Sequence, residues 1–458
     1  MQRRHFLAGA TCAGAAFAGV WAKPARAADL SLTVQPARFS MNGQVTNRML
    51  SYSGNAPPPV IRMKQGQRFV TDLVNGMDEE TTIHWHGMRV PAAMDGVPYL
   101  AQDPVPPGGT FRYDFTPQDA GTFWYHPHCN TLDQMARGLT GIVVVEEAVD
   151  PGFDVDLPLN LRDFRLGSDG QFIEFFKPRN SARAGTFGTM MTANWQVSPV
   201  HDLPAGGLVR LRLVATDTTR IYKLYVQGAT GRIIALDGQP VPGPVPWPTD
   251  QEPLLLAPGQ RADIALRMPD TAGQECSLIA DVPGGTEVLA RFRATGQTLG
   301  RDLAELAPLP PNPIAQPDLA NAERLDFLFG WSPGGDAPAS GICGTLGYTF
   351  WSINRVAFAG DVPDPFAPLA VMERGNTYVL RLQNETENDH PIHLHGMTFQ
   401  VLQSDSRPLT QVFSDTTLLR SHEVIEVAVV ADNPGEWMFH CHVIEHQKTG
   451  LAGYIRVV

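Results

Sequence analysis

Four His-x-His pairs constrain this chain more than any other feature. They are His84-Trp85-His86, His126-Pro127-His128, His393-Leu394-His395 and His440-Cys441-His442. With 13 histidines in 458 residues, chance supplies about 0.4 such pairs. Successive side chains on a strand point to opposite faces, so each pair sets two imidazoles on one face. The last pair follows Pro434-Gly435 and the apolar run Trp437-Met438-Phe439, which reads as a strand. Cys441 there takes the face opposite His440 and His442. A thiolate between two imidazoles can serve two metal sites at once. Cys441 with His446, five residues on, suits a soft copper site. Position 451, ten after the cysteine, is where a weak axial ligand would sit, and it holds Leu451. Eight same-face imidazoles suit a cluster of copper or iron before zinc.

A repeat organises the body of the chain. Met63-Lys64-Gln65-Gly66 reads as a turn into an alternating strand ending at Asn75. Met372-Glu373-Arg374-Gly375 leads in the same way to Asn384, with Gly and Asn nine apart in both. Leu203-Pro204-Ala205-Gly206 through Ala215 is a weaker copy. The first and third copies continue into His-x-His-Gly, at 84–87 and 393–396, and later into a Gly-led aromatic strand carrying the second pair. Three copies argue for three similar β-sandwiches, the first and third giving four imidazoles each to a cluster between them. Pro127 stands where Cys441 does, so the first sandwich cannot build a thiolate site. His201 is the only histidine of the middle segment and is unpaired, so that segment reads as a spacer. Abundant Pro and Gly with short alternating strands read as all-β. Breaks are expected near Asp150-Pro151 and in the proline-rich stretch 306–317.

In their order and internal spacing, the four motifs resemble those of the three-domain, laccase-like multicopper oxidases. The resemblance implies three cupredoxin-like Greek-key β-sandwich domains, at 28–150, 151–310 and 311–458. It implies four copper ions: one type 1, one type 2 and two type 3. Carried over position by position, His390, Cys441 and His446 hold type 1, with Leu451 at its non-ligating axial position. His84 and His393 hold type 2. His86, His126, His128, His395, His440 and His442 hold the type 3 pair. Asp95 matches the family's acidic residue beside type 2, which helps deliver protons, although Asp before Gly96 also suits a turn. Many bacterial relatives carry a second acid after the type 1 histidine, where this chain has Gln447. Glu445 nearby reads only as a partner for surface charge. The implied reaction couples one-electron oxidation of phenols or similar small donors to four-electron reduction of O2 to water. The runner-up is a cuprous oxidase, with Cu(I) as donor. The 14 methionines are scattered, without a Met-rich insertion.

Residues 1–27 read as an export signal. Gln2-Arg3-Arg4-His5-Phe6-Leu7 is a twin-arginine signature, and Ala25-Arg26-Ala27 is an A-x-A cleavage site. The Ala/Gly-rich run between them is too short for a membrane anchor. The expectation is passage through the twin-arginine export machinery to a periplasmic or secreted protein, with no membrane attachment after cleavage. Loss of Arg3, Arg4, Lys23 and Arg26 takes the formal charge from −12 to −16, which speaks against nucleic acid as a partner. Cys129, Cys276, Cys343 and Cys441 remain. With Cys441 on copper, an oxidising compartment allows one disulfide among the other three, and sequence leaves the pair open.

Overall fold

The computed structural model describes residues 28–334, 343–362 and 367–458; the export signal expected at 1–27 lies outside the described residues. The fold is all-β. The first sandwich packs the sheet of Leu30–Ser40, Val45–Ser51, Phe69–Asn75 and Thr110–Phe115 on that of Ile61–Lys64, His84–His86, Gly121–His126 and Gly141–Glu146. Two further sandwiches follow, over 155–295 and 323–457, each a six-stranded sheet on a five-stranded one. No helix among the described residues is long and apolar enough to cross a membrane.

The three sandwiches are built alike. In each, the opening strand pairs in parallel with the strand of the sequence repeat. Leu30–Ser40 pairs with Phe69–Asn75, Val155–Phe164 with Leu208–Ala215, and Glu323–Trp331 with Thr377–Asn384. The repeat's closing asparagine has a physical reason. Asn75 Nδ2 donates to the carbonyls of Glu79 and Val105, and Asn384 Nδ2 to those of Asn388 and Arg420. In both cases the side chain ties down the loop that leads to a His-x-His strand.

Each sandwich also has its own apolar core. In the third, Leu380 and Leu382 alternate inward and meet Ile425 and Val427 from the neighbouring strand. Each such buried side chain contributes roughly 1.5–3 kcal/mol, so the strand carrying His440 and Cys441 stands on a rigid floor. A disulfide, Cys129–Cys343, joins the first sandwich to the third, while Cys276 stays free and buried in the second.

Candidate metal centre

Strand register positions the paired histidines. His84 faces His126 across the antiparallel strands of the first sandwich, and His393 faces His440 in the third. Where the two sandwiches meet, His84 stacks on His395 and His86 on His393, each with ring centroids 3.8 Å apart. His126 lies 5.4 Å from His442, and His128 lies 5.6 Å from His440. All eight are buried. Burial first, then crowding by neighbouring imidazoles, holds His86, His126, His128, His395, His440 and His442 well below the usual histidine range. They are therefore neutral near pH 7, the form that binds metal.

One nitrogen of several rings is held by the protein. Nδ1 of His84 donates to the Asp95 carbonyl, that of His126 to Pro127, that of His393 to Asp415 and that of His440 to Cys441. The opposite nitrogens of His84, His126 and His393 have no partner, nor do Nδ1 of His86 and both nitrogens of His128 and His442. Buried polar atoms are rarely left so, and metal ions are the partners this set fits.

A second group stands beside the first. Nδ1 of His390 and Nδ1 of His446 are 3.1 Å apart, and each lies 3.6 Å from Cys441 Sγ. The outer nitrogen of His390 meets Thr386 Oγ1 at 3.0 Å, and that of His446 donates to the Arg183 carbonyl. Burial brings His446 down to about 4 and pushes the Cys441 thiol up, so a metal must displace that proton. Leu451 is buried in the same core; its carbonyl accepts from Cys441 N at 3.0 Å and its N–H donates to His446 O at 2.9 Å. Gly450 makes this close return possible. Its φ is +122°, and a Cβ there would sit 2.0 Å from the Trp351 carbonyl oxygen.

The sequence pattern of the multicopper oxidase family matches residues 33–150 and again residues 345–458. A solved multicopper oxidase from Pseudomonas thermotolerans is 40% identical, with 94% of this chain and 100% of that chain covered and a TM-score of 0.83. The chain belongs to the multicopper oxidases. A multicopper oxidase of Mycobacterium tuberculosis is 28% identical over 93% of this chain and 86% of its own length. A laccase of Cryptococcus neoformans is 27% identical over 88% and 76%. Multicopper oxidases use copper, O2 and a reducing substrate, and an imidazole and thiolate donor set suits copper.

In this multicopper oxidase Asp95 is fully buried between the two sandwiches. Its Oδ2 lies 2.8 Å from His395 Nδ1 and its Oδ1 lies 3.2 Å from His84 Nδ1, so it touches one imidazole from each side. A second carboxylate had no signal in the sequence. Asp415 Oδ1 is 3.2 Å from His86 Nε2 and 3.4 Å from His393 Nδ1. Burial would raise the Asp415 carboxyl, but Arg261 and the His393 hydrogen bond outweigh it and hold it below the usual range. Arg261 grips Asp415 with both ends, at 2.8 and 2.6 Å, and also donates to the Thr122 carbonyl of the first sandwich.

Arg261 belongs to the middle sandwich, as does Gly259, so that segment is more than the spacer expected. At φ +91°, a Cβ on Gly259 would lie 3.1 Å from the rings of both His442 and His86. Only a bare backbone fits against the cluster there.

One other reading changes. Glu445 does not pair with surface charge: it is buried and accepts from the N–H and hydroxyl of Thr186, and burial raises its carboxyl. Gln447 is buried, with Nε2 toward Met438 Sδ at 3.9 Å and Oε1 without a partner, so no acid stands at that position. One residue on, Lys448 Nζ donates to buried Asp361 at 2.6 Å and to the His128 carbonyl. His201 and His422 lie outside both groups, His201 stacked on Phe292 and His422 exposed in a turn.

Proposed function

We propose that this multicopper oxidase is laccase-like, taking single electrons from phenols, aromatic amines or similar small donors and reducing O2 to water. In this reading four copper ions are held: type 1 by His390, Cys441 and His446, type 2 by His84 and His393, and the type 3 pair by the other six imidazoles. Copper supplies the one-electron and O2 chemistry. Cys441 supplies the link, and this observation carries the reading. Its sulfur faces the first site while its backbone bonds directly to His440 and His442 of the second. Electrons collected one at a time thus have a short covalent route to a place where four can be used together. Asp95 orients His84 and His395 and is positioned to hold a proton beside them.

The donor is read as organic because the methionines of the described residues are buried or, at Met94, Met190 and Met191, half-buried, so none stands out as an exposed thioether for Cu(I). Residues 1–27 are proposed to direct twin-arginine export to the periplasm or beyond, and 28–150, 151–310 and 311–458 to be the three domains. The test is O2 uptake by the copper-loaded protein with 2,6-dimethoxyphenol and with Cu(I). A higher kcat/KM for the phenol is expected; a higher one for Cu(I) would overturn the laccase-like reading.

A further inference from the structure

The imidazoles of the type 1 site do not reach solvent. His446 is 0% exposed and its outer nitrogen is covered by the Arg183 carbonyl; His390 is equally buried. A donor at the surface therefore touches neither. One aromatic path does lead out. The ring of buried Trp351 lies 4.7 Å from that of His446 and 5.1 Å from that of His390. Its Nε1–H donates to the Ser181 carbonyl at 2.9 Å, which fixes the ring. Trp331 stacks on Trp351 with centroids 4.3 Å apart and planes 18° apart, and is itself 37% exposed.

Strand register builds this stack. Trp331 and Trp351 are direct partners across the antiparallel strands Glu323–Trp331 and Trp351–Ile353. Phe327 and Phe329, on the same face as Trp331, pack inward on Phe439. The aromatic row thus ends on Trp331, where the sandwich gives way to solvent.

We propose that the exposed face of Trp331 is the docking platform for a planar aromatic donor, and that the Trp331–Trp351 stack conducts its electron to the type 1 imidazoles. This deepens the laccase-like reading and rests on it. A phenol gives up one electron and one proton and becomes a phenoxyl radical. The electron passes through the stack and reduces Cu(II) at the type 1 site to Cu(I); the proton goes to bulk water. An indole face takes a neutral planar ring by offset stacking, and a donor held there need not enter the protein, so bulky phenols are accepted.

The test uses Trp331→Leu, Trp331→Phe and, as a control, Tyr348→Leu. Tyr348 is also exposed, at 41%, but its partner Phe350 stacks on no type 1 imidazole among the described residues. Two measurements are made: anaerobic bleaching of the blue band by 2,6-dimethoxyphenol, and broadening of the 19F line of 4-fluoroanisole by the copper-free protein. Trp331→Leu is expected to slow bleaching about tenfold with an unchanged blue spectrum, and to abolish the broadening. Trp331→Phe, which keeps a stacking face, and Tyr348→Leu should stay near wild type in both. Wild-type bleaching and broadening in Trp331→Leu would overturn the platform, as would an equal loss in Tyr348→Leu. A wild-type protein bleached by Cu(I) but not by the phenol would instead overturn the donor reading beneath it.

Discussion

Both metal centres are built from imidazoles, and the strands His390–Leu394 and Gly435–Cys441 serve both, yet their surroundings differ in kind. Two buried carboxylates, Asp95 and Asp415, and the guanidinium of Arg261 stand against the eight-imidazole cluster. Around Cys441 stand Trp351, Leu451, a hydroxyl from Thr386 and a carbonyl from Arg183, and no carboxylate touches its three ligands among the described residues. In the proposed reading, reducing O2 to water at the cluster consumes protons with the electrons, whereas the type 1 site handles electrons alone. The charged groups Asp95, Asp415 and Arg261 thus stand against the eight-imidazole cluster, and an apolar, aromatic wall stands around Cys441.

The largest effect should come from removing the group the two centres share. Cys441→Ser is expected to abolish blue colour and oxidase activity while the eight-imidazole centre keeps copper. Absorption spectra with metal analysis check this, and a variant that stayed blue would dissolve the distinction between the sites.

Next comes the charged wall itself. Arg261→Leu leaves Asp415 and Asp237 buried without their cation, which should destabilise the protein by about 3–5 kcal/mol. Thermal or denaturant unfolding of the copper-free variant measures it; an unchanged transition would mean that the ion pair does not hold the three sandwiches together.

Asp95→Asn keeps an acceptor for His395 but cannot carry a proton. Reoxidation of the reduced enzyme by O2 should slow about 100-fold while reduction of type 1 keeps its rate. Stopped-flow mixing with O2, with copper content measured beside it, separates the two. Slowing of both steps alike would show that Asp95 serves the whole molecule rather than one centre.

The smallest change sharpens the apolar side. Leu451 cannot donate to copper and excludes water, both of which favour Cu(I). Leu451→Met, close in volume, should lower the type 1 potential by about 50–100 mV, or about 1–2 kcal/mol for one electron. A redox titration reads this directly. An unmoved potential with copper retained would take Leu451 out of the axial place.

Much of this was legible in the sequence because strand geometry converts i, i+2 spacing into a shared face. The eight cluster histidines, and Cys441 opposite two of them, needed only that rule. Asp415, Arg261 and Gly259 were not legible, because each reaches the cluster by tertiary approach from a segment with no periodic signal. Asp415 sits singly between Ser414 and Thr416, and Arg261 meets it across 154 residues of chain. Glu445 misled for the same reason: its partner Thr186 lies in another sandwich, and nothing local marks the residue as buried. The pairing of Cys129 with Cys343 likewise depended on how the first and third sandwiches meet.

That bridge bears on how copper is gained and kept. Cys129 directly follows His128, and Cys343 lies 214 residues away in sequence. Were the interface to part, the two four-imidazole halves would hinge instead of separating. Held on so short a tether, they face each other at an effective concentration of roughly millimolar or more. The receptor thus stays assembled, and an ion released from one half remains within reach of the other.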